Sequence, residues 1–91
     1  MSEFFIDAQR QRAKEWRAKR LNEMRLEYTE HVIADERARA NKDWQSALRH
    51  QDKARDVTRR VFNQYPSYVV GELLTEWRDD ALRQARQEVQ S

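Results

Sequence analysis

Asn63-Gln64-Tyr65-Pro66-Ser67 holds the only proline of a 91-residue chain that has one glycine and no cysteine. Proline removes a backbone donor and disfavours helix for the residue before it, so this stretch ends one helix and starts another. On both sides of it the composition is helical: Ala, Leu, Arg, Lys, Glu and Gln dominate, and 37% of residues are charged. No strand is expected. The fold class is all-α, with two to three helices forming an extended hairpin or a three-helix bundle with a long N-terminal helix, in one domain spanning residues 1–91.

Downstream of the proline, a helix over 67–90 is capped by Ser67 and carries the cleanest apolar stripe: Val70, Leu73, Leu74, Trp77, Ala81, Ala85 and Val89. Gly71, early in that helix, offers room for close approach of another backbone. Upstream, residues 42–64 place Trp44, Ala47, Leu48, Ala54, Val57, Val61 and Phe62 on one side, with Tyr65 following. Asn41-Lys42-Asp43 provides an N-cap with an acid in the first turn, which sets a boundary near residue 41. That boundary has no Gly or Pro, and the alternative is an unbroken helix from 3 to 64, about 90 Å long at about 1.5 Å per residue. The first helix, 3–40, starts at Ser2 and Glu3 and carries Phe5, Ala8, Ala13, Trp16, Leu21, Met24, Tyr28 and Val32. Its stripe is interrupted by Gln9-Arg10-Gln11-Arg12.

The larger apolar residues of these stripes, with Phe4, Ile6, Leu26, Ile33, Tyr68, Val69 and Leu82, make a modest core. A chain this short buries only about 60 to 65% of its unfolded surface, so a partner or self-association is the natural source of further burial. Phe4-Phe5-Ile6 is too short an apolar run for a signal-peptide core or a membrane span, which gives the expectation of a cytoplasmic protein.

The most distinctive charge feature is a basic run: Arg10, Arg12, Lys14, Arg17, Lys19, Arg20 and Arg25, broken by Glu15 and Glu23. Such a run neutralises nucleic-acid phosphates, fits an acidic protein groove, or is a solvated face with Trp16 in the core seam. Trp16 also has the spacing to stack on a base or to lie against Arg12 and Arg20. Net charge is only +2, and residues 67–91 hold five acids against three arginines, a layout that suits orientation on a protein surface.

Catalytic and metal-binding chemistry finds no support in the pattern. There is no Gly-rich phosphate loop and no cysteine. His31 and Asp35 share a helix face, with Glu27 one turn earlier, but no third ligand is evident; His50 reads as an exposed helix residue. Glu72, Glu76, Asp79 and Asp80 read as ion-pair partners of Arg78 and Arg83. No enzyme, cofactor or metal is expected.

The turn is the better candidate interface, because tyrosines bring large rigid area at low entropic cost. The candidate contact residues are Tyr65, Pro66, Tyr68, Val70, Leu74 and Trp77, with Arg10, Arg12, Lys14, Trp16, Arg17, Lys19 and Arg20 as a nucleic-acid or acidic-surface contact. The Tyr65-Pro66 bond is also a candidate prolyl isomerase contact.

The whole chain, short, highly charged and rich in Arg and Gln, together with Tyr65-Pro66-Ser67-Tyr68-Val69-Val70-Gly71-Glu72-Leu73-Leu74, resembles the small early proteins of lambdoid phages that modulate host enzymes. Within that set it looks most like the anti-RecBCD proteins. The resemblance implies a protein of the host cytoplasm that binds the RecBCD recombination nuclease and inhibits or redirects it; it assigns no residue roles. The expectation is a non-enzymatic, protein-binding modulator of a larger host complex, with a nucleic-acid-binding protein using helix 10–25 as the alternative.

Overall fold

A computed structural model describes the backbone of residues 2–90 and the side chains of residues 5–88. It contains α1 (Ser2–Ala40), α2 (Trp44–Gln64) and α3 (Ser67–Gln90), with no strand among the described residues. The expected contributions of Phe4 and Val89 to the core, and of Ser2 and Glu3 to a cap, lie outside the described side chains.

The boundary near residue 41 is real, and its backbone explains how it forms without Gly or Pro. Lys42 adopts a left-handed φ of 60°. Its amide donates to the Arg39 carbonyl at 3.0 Å, and the Asp43 amide donates to the Ala38 carbonyl at 2.8 Å. This is the Schellman closure that usually uses glycine. Asp43, rather than Asn41, is the cap: its Oδ1 accepts from the Ser46 amide at 3.2 Å, so α2 starts at Trp44 instead of residue 42.

At the second turn, Tyr65 is extended, as a residue before proline must be. The Val69 and Val70 amides donate to the Pro66 carbonyl at 3.0 and 3.1 Å. Pro66 therefore takes the cap position, and Ser67, expected there, is the first residue of α3. All described peptide bonds are trans, including Tyr65-Pro66.

α2 runs antiparallel to α1 and α3 returns parallel to it. The order of cross-helix contacts fixes this: Arg25 with Asp80 (3.9 Å) and Arg37 with Glu88 join α1 to α3, while Glu27 with Arg60 (2.7 Å) and His31 with His50 (3.1 Å) join α1 to α2. Both outer helices pack on α1 and touch each other little. The core is Met24, Tyr28, Val57, Val61, Val70 and Trp77, flanked by Leu21, Val32, Ala54, Tyr65, Leu73 and Leu74. Tyr28 and Trp77 meet with tilted rings, centroids 6.1 Å apart. Each fully buried valine contributes about 1.5–3 kcal/mol of burial.

This core is smaller than the apolar pattern suggests. Phe5, Ile6, Trp16, Leu26, Trp44, Leu48, Phe62, Tyr68 and Val69 are all exposed. Gly71 brings no backbone close, since a methyl group built there meets nothing within 4 Å. The molecule measures 62 × 27 × 20 Å with a radius of gyration of 16.9 Å, against about 12 Å for a compact chain of this length.

Candidate functional site

The elongation has one source. Every described side chain from residue 5 to residue 20 is exposed, whereas the core begins at Leu21. The first half of α1 is thus a single-helix arm, about 24 Å of helix at about 1.5 Å per residue, projecting from the bundle. It stays helical because the packed half of α1 supplies the nucleus, and Ala, Arg, Lys, Gln and Glu then propagate it cheaply. Gln11 donates to Glu15 at 3.3 Å along the same surface.

The register explains why nothing covers it. Residues 10, 14, 17, 21, 24 and 28 alternate by four and three, so they share one face. In the bundle that face is Leu21, Met24 and Tyr28; in the arm it is Arg10, Lys14 and Arg17. The apolar seam becomes cationic just where α2 ends and α3 begins.

The arm, residues 5–20, holds six basic and two acidic side chains, whereas the remaining 75 residues hold twelve basic and fourteen acidic. Arg10, Arg12, Lys14 and Lys19 have no acidic partner among the described residues. Arg17 Nε donates to the Ala13 carbonyl at 3.3 Å, and Arg20 pairs with Glu23 at 3.5 Å rather than stacking on Trp16. Trp16 is 64% exposed and so lies outside the core seam. Arg25, the last member of the basic run, belongs to the bundle through Asp80.

The turn candidates fare differently. Val70 is fully buried and Trp77 is 4% exposed, so neither is a surface contact; they fix α3 to α1. Tyr65 and Leu74 are half-buried against the same core. Only Pro66 and Tyr68 of that set are exposed, Tyr68 at 80%. Alternating apolar spacing in α3 marks a packing face, and Trp77 was read as an anchor for a partner when its partner is Tyr28.

A second open surface lies where α2 and α3 diverge over α1. It is a groove of about 340 Å³ lined by Tyr28, Val32, Ala54, Thr58, Arg55, Arg78 and Leu82, among others.

The electrostatics of the bundle are those of a packed surface. Glu27 is held below its ordinary value, first by its hydrogen bond from Arg60. Burial raises Tyr28. Burial, followed by the nearby His50 and Lys53, lowers His31. His50, read as an exposed residue, is instead half-buried, with its Nδ1 3.1 Å from Nδ1 of His31. The antiparallel pairing of α1 with α2 was the signal that would have joined them. No group of three His, Cys, Asp or Glu side chains able to hold a metal occurs among the described residues. No helix, among those residues, is long and apolar enough to cross a membrane.

No protein-family model matches the chain, and neither a curated protein nor a solved structure matches it.

Proposed function

We propose that this protein is a non-enzymatic regulator that docks arm-first on an acidic surface of a larger protein complex, one that acts on DNA, and inhibits or redirects it. The projecting cationic arm is the observation that supports this reading. Its four cations, which have no acidic partner among the described residues, make no ion pair with the bundle, and an exposed tryptophan beside them supplies an apolar anchor of the kind that dominates interfaces. The acidic balance of the bundle orients the approach. The likeness in sequence character to anti-RecBCD proteins makes RecBCD the first complex to try.

The test is co-elution with purified RecBCD, with nuclease activity measured in parallel. Wild-type protein is expected to co-elute and alter the activity, and the double variant Arg17→Glu, Arg20→Glu to lose both effects. Equal behaviour of the two proteins removes the arm from the account; no co-elution of either removes this complex.

A second reading is favoured by the arm's form: a lone basic helix projecting from a bundle has the width and charge to enter a DNA major groove. It predicts affinity for a short duplex that falls with salt, with a logarithmic slope of about −0.9 per phosphate neutralised. A flat salt response eliminates it.

A further inference from the structure

We infer that His31 and His50 form a two-imidazole site for a divalent transition metal of the Ni²⁺, Cu²⁺ or Zn²⁺ type, clamped between α1 and α2. The two Nδ1 atoms are 3.1 Å apart, and the rings are tilted by 31° with centroids separated by 5.4 Å. A metal bound by both nitrogens at about 2.0–2.1 Å would, at that separation, subtend an angle of about 98°. That is near the right angle of square-planar or octahedral coordination, and opening the pair by about 0.3 Å gives the tetrahedral angle that zinc prefers.

Without metal the pair is satisfied only when one ring carries its proton on Nδ1 and donates to the other. A metal replaces that shared proton, which moves to Nε2 of the same ring. Both ligands then remain neutral imidazoles and no proton is lost. Beside the two rings, Glu30, Ala34, Arg37 and Glu88 line a space of about 410 Å³, enough for a metal and its waters. Burial, His50 and Lys53 oppose positive charge at His31, and Glu27 and Glu30 favour it. The site joins two helices, so binding stabilises the fold rather than one side chain.

The experiment uses the full chain without an affinity tag, titrated with Ni²⁺ and Zn²⁺, with Mg²⁺ as the hard-ion comparison. One metal per chain is expected, with Tm rising by about 5–10 °C at a tenfold excess of free metal over the Kd. His31→Ala and His50→Ala should each abolish the rise, and Mg²⁺ should give none. Retention of the rise in either variant, or an equal response to Mg²⁺, overturns the site. Imidazole resonances of the wild-type protein give a readout independent of variant folding. Both rings shifting together with Zn²⁺ supports the site, and one ring shifting alone refutes it.

Discussion

The two halves of α1 share one helix and one register, yet all the buried side chains of α1 fall in residues 21–40, while every described side chain of residues 5–20 is exposed. The difference is three side chains on one face. Leu21, Met24 and Tyr28 give α2 and α3 an apolar surface to bury, and Arg10, Lys14 and Arg17 do not. Burying those cations without partners would cost more than packing returns. A helix can therefore continue past its bundle at little cost, and what it carries there is free for binding.

Exchanging Trp16 in the arm and Trp77, which packs from α3 on the other half of α1, gives the largest contrast. Trp77→Ala should cost about 3–5 kcal/mol, a large part of the stability of so small a domain. Trp16→Ala should leave stability within about 0.5 kcal/mol. Urea denaturation of the two variants measures both, and a comparable loss from Trp16→Ala would place the arm inside the cooperative unit.

Next in size is the junction that ends α1. Asp43→Ala removes the side-chain acceptor for the Ser46 amide and should cost about 1 kcal/mol. The same denaturation series reads it.

Backbone substitutions sharpen the comparison further. Gly71→Ala faces open space within α3 and should stabilise the bundle by about 0.5–1 kcal/mol. Ala13→Gly, of similar intrinsic cost, should lower the helical signal by circular dichroism while leaving the unfolding midpoint unchanged, because the arm lies outside the unit that unfolds cooperatively.

The smallest effect is electrostatic. Glu27 ionises more readily in the folded protein than in the unfolded chain, so its pairing with Arg60 stabilises above the ordinary glutamate range. That contribution is lost as pH falls through the ordinary value of about 4.5 and below it. Both side chains are 41% exposed, so the effect is small. Glu27→Gln should flatten the acid limb of the stability curve, and an unchanged limb would assign the slope to other groups.

Much of this fold was legible in the residues. The proline turn follows from the chemistry of Pro66, and the break near residue 41 follows from Asp43, although its Schellman closure by Lys42 carries no glycine to announce it. The extent of packing was less legible. Apolar spacing tells which residues could share a face, but whether a partner helix reaches them depends on helix lengths and on where turns fall. Trp16 and Trp77 look alike in sequence, yet Trp77 is buried against Tyr28 of α1, whereas Trp16 lies beyond the packed part of the bundle and stays exposed. The basic run was visible from the start, while its freedom from the bundle was not. The His31–His50 pair lies 19 residues apart and needed the antiparallel register of α1 and α2 to appear.

Amide hydrogen exchange along α1 tests the central claim most directly. Residues 24–38 should exchange only on global unfolding, and residues 5–20 through local fraying many-fold faster, with the boundary near Leu21. Uniform protection from residue 5 to residue 40 would contradict a free arm and, with it, the binding surface assigned to it.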